Sequence, residues 1–145
     1  MELAERYRTV QKAVEAEAVQ CGRSVHSVKL LVCSKGQAAE SIRDLAGCGQ
    51  VCFAENYLQE ALPKIDELSD LSLEWHFIGR LQRNKANQIA RHFDWVHSVD
   101  SLAIAEKLSA ARLLSGLDPL SVCVQLNLTG ESQKGGIEKE RLVEF

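Results

Sequence analysis

The sequence predicts an α/β protein built on a parallel sheet, and two observations lead to this fold class. Apolar runs of strand length alternate along the chain with segments whose apolar residues recur at helical spacing. The connections are short, which is typical of parallel strands joined by crossover helices. The predicted order of elements is αβαβαβαβαβα, and 145 residues suffice for a core. We therefore expect residues 1–145 to form a single domain.

The predicted helices are marked by apolar residues three or four positions apart. The first helix carries one such stripe and ends near Gly22; the stripe consists of Leu3, Tyr7, Val10, Val14 and Ala18. Later helices are expected over residues 38–46, 57–68, 83–92 and 102–114, and another helical pattern begins at 138. Pro63 should kink the third helix or shift its start, because proline has no backbone N–H.

The predicted strands cover residues 29–34, 51–54, 73–78, 95–99 and 121–128. Side chains alternate along a strand, so Trp75 and Phe77 share a face suited to packing against helices. The opposite face of each strand becomes polar toward its carboxyl end. Four polar residues are therefore expected at the edge where parallel α/β proteins bind ligands, namely Lys35, Asn56, His76 and Asn127.

Two architectures fit this alternation: an open doubly wound sheet and a (β/α)₈ barrel. No G-x-G-x-x-G follows the first strand, which weakens a dinucleotide-binding fold. A full barrel usually needs about 250 residues. The five predicted strands would therefore form an incomplete barrel. Such a sheet would have two open edges and an exposed apolar lumen, and it could self-associate.

Composition excludes several classes of function. A net charge of −3 disfavours a general polyanion binder. No apolar stretch is long enough to span a membrane, and the charged first twenty residues do not resemble a secretory signal. The five cysteines form no C-x-x-C pair, so we expect reduced, buried thiols in a cytoplasmic protein and no metal site.

Lys35 is the residue whose position points most directly to chemistry. It ends a strand in the stretch KLLVCSKGQAAESI. A lysine drawn into a partly desolvated pocket loses its charge more easily, and the neutral amine attacks carbonyl groups. The chemistry that needs such an amine is a Schiff base with a carbonyl substrate or with pyridoxal phosphate. The alternative is a lysine that merely extends from the strand end into water.

Several ordered strings resemble the pyridoxal phosphate homeostasis family. They are VCSKGQ around Lys35, FAENYLQEALPKI from Phe53, EWHFIGRLQRNK from Glu74, VHSVD from Val96 and VQLNLTGESQKGGI from Val124. The resemblance covers nearly the whole chain. It implies a barrel of the alanine racemase amino-terminal type and a role in intracellular pyridoxal 5'-phosphate homeostasis.

The resemblance assigns Lys35 as the lysine that holds the cofactor as a Schiff base. It places Asn56, His76, Gly79 and Asn127 within motifs that would line the cofactor pocket. It implies a carrier without catalytic residues, with enzymes that depend on the cofactor as possible acceptors. The family's carboxyl-terminal phosphate-binding segment has no counterpart before Phe145, so a remnant that does not bind cofactor stays an alternative.

Two further hypotheses about function compete with the carrier hypothesis. A racemase or lyase would need an acid–base partner for Lys35, and His76 is the histidine expected on the inner face. A nucleic-acid-binding module would use the basic residues of GRLQRNKANQIARHF. A charge run of this kind is usually a solvated helix face, so we expect no nucleic-acid partner.

Overall fold

The computed structural model describes residues 2–131 and 135–144, where helices and strands alternate as predicted. The helices are α1 (Leu3–Gln20), α2 (Ala39–Gly47), α3 (Leu58–Glu67), α4 (Ala86–His92) and α5 (Leu102–Leu114). The strands are β1 (Val32–Cys33), β2 (Cys52–Glu55), β3 (Glu74–Phe77), β4 (Trp95–Val99), β5 (Ser121–Val124), β6 (Leu126–Asn127) and β7 (Ile137–Glu138). Short 3-10 helices lie at Arg83–Lys85 and Lys139–Glu144. None of the helices described is both long and apolar enough to cross a membrane.

Strands β1 to β5 form a parallel five-stranded sheet in the order β1-β2-β3-β4-β5. Strands adjacent in sequence are adjacent in the sheet, and the order never reverses as it would in a doubly wound fold. The predicted α/β class with five parallel strands is thus confirmed. Within the described residues, β1 and β5 each have one neighbour in this sheet, which leaves two edges.

The hydrophobic core lies between the helices and one face of this sheet, which we call the helix face. Trp75 and Phe77 are buried there, as the alternation in β3 predicts. The ring of Phe77 meets Phe93 edge-on at 5.3 Å between centroids. Ile89 and Leu108 bring α4 and α5 into the same core. Burial of these side chains supplies the main force that holds the helices on the sheet.

The opposite face, which we call the open face, carries a row of residues that are paired across the sheet. Register places Cys33, Ala54, His76, Trp95 and Ser121 side by side. This row includes a histidine and a serine, so the face is less apolar than the expected lumen. Cys33 is exposed there, whereas Cys52 is the one fully buried thiol among the five free cysteines. The expectation of buried thiols is therefore wrong for Cys33 and for Cys21, which are both exposed.

The structure corrects the predicted strands in two places. The first strand contains only Val32–Cys33. The fifth strand ends at Val124, because the N–H of Gln125 donates to the Val99 carbonyl at 2.8 Å while its own carbonyl accepts from the Ile137 N–H at 2.9 Å. The chain leaves the main sheet at this residue. Strand β6 then pairs with β7 in a separate two-stranded sheet.

Two helical predictions also need correction. Helix α3 runs through Pro63 and begins at Leu58, one residue after the predicted start. Pro63 and Gln59 are both exposed, so water can satisfy the carbonyl that loses its intrahelical partner. In α1, Tyr7 and Ala18 are buried, but Val10 is 50% exposed and lies at the margin of the predicted stripe.

Candidate functional site

Lys35 lies in a tight turn directly after β1, at the carboxyl edge of the sheet. The N–H of Gln37 donates to the Ser34 carbonyl at 3.0 Å and closes the turn around Lys35 and Gly36. Gly36 has φ of +70°, a value that a type II turn requires at its third position and that glycine adopts without strain. Lys35 is exposed, and within the described part of the chain its ammonium has no ion pair.

A set of polar residues, of which all but Glu60 are buried, lies behind this turn, and we call it the α3 network: Ser34, Glu55, Glu60 and Lys64. The ammonium of Lys64 donates to Glu55 Oε1 at 2.8 Å, to Glu60 Oε1 at 2.6 Å and to the Ser34 carbonyl at 3.0 Å. The Ser34 hydroxyl donates to Glu55 Oε1 at 2.7 Å. Burial alone would lower the pKa of Lys64, but its bonds to both carboxylates outweigh burial and raise it. Lys64 is therefore a charged, fully paired lysine.

Asn56 and Gly79 meet at the same carboxyl edge. A Cβ added at Gly79 would lie 1.9 Å from the Asn56 carbonyl oxygen, so the two backbones approach too closely for any other residue. The Ser98 hydroxyl donates to the Gly79 carbonyl at 2.5 Å and fixes this approach from β4. Asn56 also lines a cavity of about 280 Å³. Arg80 and Lys85 contribute cationic side chains to its wall.

His76 lies on the open face within β3, and both of its ring nitrogens have partners. Nε2 is 2.8 Å from Glu74 Oε1, and Nδ1 is 2.9 Å from His97 Nε2. The ring stacks on Trp95 with centroids 5.7 Å apart and planes 5° from parallel. His76 is thus a hydrogen-bonded interior histidine. Its predicted part in the cofactor pocket stays a prediction.

We call the polar residues around His76 the open-face network: Lys29, Cys52, Glu74, His76 and His97. Glu74 Oε1 accepts from Lys29 at 2.9 Å and from the Cys52 thiol at 3.3 Å, in addition to His76. Burial alone would raise the pKa of Glu74, but these three donors lower it to about 2. Burial and the bond to Glu74 raise the pKa of the Cys52 thiol to about 11.

This network contains potential metal ligands that the cysteine spacing did not reveal. Ligand atoms of Cys52, Glu74 and His76 lie within 4.8 Å of one another. However, the Lys29 ammonium already neutralises the carboxylate, and the thiol holds its proton firmly. A satisfied polar network accounts for the arrangement.

Asn127 lies in a strand of a different sheet from the one that carries the other predicted site residues. It belongs to β6 and not to the five-stranded sheet, which corrects the predicted continuous fifth strand. Its amide donates to the Glu131 carbonyl at 3.0 Å, and its Oδ1 accepts from the Gly130 N–H at 3.1 Å. The side chain therefore organises its own loop.

Of the predicted site residues, the structure brings Lys35, Asn56 and Gly79 to one edge, after neighbouring strands. Sequence analysis missed the α3 network, although Glu60 and Lys64 have the i,i+4 spacing of a helical ion pair. It also missed His97, which alternation from Trp95 would have placed on the open face. His76 is therefore not the only histidine on that face.

The fold and this edge define an α/β protein with a lysine presented at the carboxyl end of a parallel sheet. No protein-family model matches the chain. It is 48% identical over 140 residues to the pyridoxal phosphate homeostasis protein of Pseudomonas aeruginosa, covering 97% of this chain and 60% of that protein. It is 42% identical over 147 residues to the protein of the same name in Escherichia coli, covering 99% of this chain and 62% of that protein.

Solved structures agree with these relatives. PipY of Synechococcus elongatus without pyridoxal phosphate matches with a TM-score of 0.82 at 38% identity, over 94% of this chain and 59% of that one. PipY with pyridoxal phosphate bound matches with a TM-score of 0.74 at 37% identity, over 94% and 58%. The chain is thus a relative of the pyridoxal phosphate homeostasis proteins, and the predicted resemblance is confirmed. It spans about 60% of the length of the curated relatives that it matches.

Proposed function

We propose that this chain binds pyridoxal 5'-phosphate and serves its intracellular homeostasis, holding the cofactor as an imine on Lys35. The observation that supports this most strongly is the Lys35 turn, which presents an exposed amine at the carboxyl edge of a parallel sheet. The relative with pyridoxal phosphate bound has the same fold at 37% identity. When bound, the cofactor would supply an aldehyde that the amine can attack.

The proposed step needs no further reactant. The neutral amine of Lys35 adds to the aldehyde carbon, a carbon–nitrogen double bond forms, and the aldehyde oxygen leaves as water with the two amine hydrogens. Asn56 and Gly79 would line the same edge. The predicted roles of His76 and Asn127 in the pocket remain part of the proposal, with support only from the motifs that contain them.

We also propose the finer architecture and the non-catalytic role. The sequential strand order and the TM-score of 0.82 support one domain that forms part of a (β/α)₈ barrel of the alanine racemase amino-terminal type. The relatives' names favour a carrier over an enzyme. Five free cysteines favour a reducing compartment, in keeping with a cytoplasmic location.

Two kinds of protein partner belong to the same proposal. Enzymes that depend on pyridoxal phosphate would accept the cofactor, and the edges at β1 and β5 would allow self-association. Sedimentation over a range of concentrations tests self-association. A monomer at every concentration would remove that part of the proposal.

The test of the function is an absorption spectrum of the chain with pyridoxal phosphate, followed by borohydride reduction and peptide mapping. We expect a visible imine band and a reduced adduct on Lys35. Lys35→Ala should weaken binding by at least tenfold, which corresponds to about 1.4 kcal/mol. The matched control is Lys12→Ala, an exposed lysine on α1, which should bind as the wild type does. An adduct spread over other lysines in the wild type would contradict the proposal.

A further inference from the structure

The two peptide groups that flank Lys35 are each held by one member of the same ion pair. The carbonyl before Lys35, that of Ser34, accepts from Lys64 Nζ at 3.0 Å. The amide after Lys35, that of Gly36, donates to Glu60 Oε1 at 2.5 Å. Glu60 and Lys64 are bonded to each other at 2.6 Å on one face of α3. Side chains of one helix thus form hydrogen bonds with the backbone on both sides of Lys35.

This arrangement fixes the direction in which the Lys35 side chain leaves the backbone. Peptide groups are planar, so the planes on either side of a Cα determine where its Cβ points. When both planes are bonded to a third element, the residue between them cannot rotate freely. Among the described residues, no hydrogen bond or ion pair joins the Lys35 side chain to α3, so these backbone contacts leave the amine available to react.

The turn would be flexible without these two hydrogen bonds from α3. Lys35, Gly36, Gln37 and Ala38 are all exposed, so little apolar packing holds them. By contrast, Lys64 is 7% exposed and Glu55 is fully buried, which makes the anchor rigid. Glu55 Oε1 accepts from Lys64 at 2.8 Å and so keeps its ammonium under the turn.

We propose that Glu60 and Lys64 are positioning residues for Lys35, which set the direction of its amine at the carboxyl edge of the sheet. Neither would touch the cofactor, because both act through the backbone of the turn. The inference rests on the proposed function, since it concerns the lysine that forms the imine there. It also explains why a charged lysine, Lys64, is buried at this point of α3, where an apolar side chain would pack at lower cost.

The decisive variant is Glu60→Ala, which removes the acceptor of the Gly36 amide and one partner of Lys64. Glu60 has a side chain that is 32% exposed, so its removal should leave the fold intact. We expect borohydride-trapped adduct on Lys35 to form roughly 10-fold to 100-fold more slowly, as for a reacting group misplaced by about 1 Å. Hydrogen exchange of the Gly36 amide should quicken in the same variant.

Two further variants separate positioning from general stability. Glu60→Gln keeps an oxygen that accepts both hydrogen bonds, so its rate should lie between those of wild type and Glu60→Ala. Glu67→Ala removes an exposed carboxylate from the same helix and should react at the wild-type rate. Thermal unfolding of all three variants shows whether the rates follow stability instead.

The outcomes distinguish the two proposals. If the wild type forms no adduct on Lys35, the proposed function itself fails. A second outcome is that the wild type forms the adduct on Lys35 and Glu60→Ala forms it at the same rate as the wild type or as Glu67→Ala. The positioning role of Glu60 is then overturned, and the proposed function stands. If Glu60→Ala does not fold, Glu60→Gln decides, because it should still be slower than wild type by a measurable factor, and a wild-type rate would overturn the inference.

Discussion

The two faces of the sheet each carry a polar network built around one carboxylate oxygen. The two networks differ in how they respond to the loss of a hydrogen-bond partner. In the α3 network, Glu55 Oε1 accepts from Ser34 and Lys64 and is fully buried. In the open-face network, Glu74 Oε1 accepts from three donors, but its side chain is 32% exposed. Water can replace a lost partner at Glu74 and cannot do so at Glu55. A carboxylate with several hydrogen-bond donors therefore stabilises the fold on the helix face, whereas on the open face it makes stability depend on pH.

The largest effect should follow from breaking the buried pair. Lys64→Met removes the ammonium that pairs with the buried Glu55 carboxylate, and losing one partner of a buried pair typically costs about 3–5 kcal/mol. Glu55 Oε2 has no hydrogen-bond partner within the described residues, so the Ser34 hydroxyl at Oε1 would be the one side-chain donor left to this carboxylate there. We expect chemical denaturation to show a loss of this size.

The matched control for that prediction is Arg43→Met. Arg43 in α2 pairs with Asp70 in the turn after α3, and both side chains are exposed, at 44% and 59%. Exposed pairs contribute little to stability because water and salt screen them, so the loss in Arg43→Met should be far smaller than in Lys64→Met. Equal losses in the two variants would contradict the distinction between buried and exposed pairs.

The next largest effect should come from the close approach at the carboxyl edge. Gly79→Ala places a methyl group 1.9 Å from the Asn56 carbonyl oxygen, and this contact involves backbone on both sides. Overpacking of this kind costs about 1–3 kcal/mol. Gly47→Ala is the control, because a Cβ there meets nothing within 4 Å. Unfolding curves that coincide for the two variants would contradict the predicted close approach.

The sequence predicted what depends on local periodicity. The stripe in α1 gave a helix that ends near Gly22, and alternation in β3 placed Trp75 and Phe77 on the helix face. The position of Lys35 after a strand likewise followed from its apolar neighbours. In each case the signal and the structural cause lie within a few residues of one another.

What the sequence could not predict depends on partners far along the chain. Lys64 is a charged residue in the amphipathic helix α3, and its burial depends on Glu55, which lies in β2. The division of the last strand likewise depends on the bond between Gln125 and Ile137. His97 is different, since simple alternation from Trp95 indicated its face. Periodicity alone did not show that a second histidine would meet His76.

A smaller effect is expected on the open face at acid pH. The pKa of Glu74 falls from 4.5 to about 2 on folding, so its contribution to stability is present above pH 4.5 and is lost as the pH falls toward 2. Lys29→Met removes one of the donors that lower this pKa, so acid unfolding should begin at higher pH. Because the Lys29 side chain is 60% exposed, Lys29→Met should lower the free energy of unfolding at neutral pH by no more than about 1 kcal/mol. An acid transition identical to that of wild type would contradict this.

The smallest effect concerns His97, whose pKa is lowered on folding by burial and by the neighbouring His76. The unfolded chain therefore binds this proton more readily than the folded chain, so stability should decline as the pH falls below 6.5 and level off below the folded-state pKa. His97→Asn removes the titrating group and should flatten this slope, whereas His26→Asn, in an exposed loop, should leave it unchanged. Unfolding free energies measured on both sides of pH 6.5 would reveal the difference. An unaltered slope in His97→Asn would assign the pH dependence to another group. The contribution of His97 to the open-face network would then be as independent of pH as we expect for the α3 network.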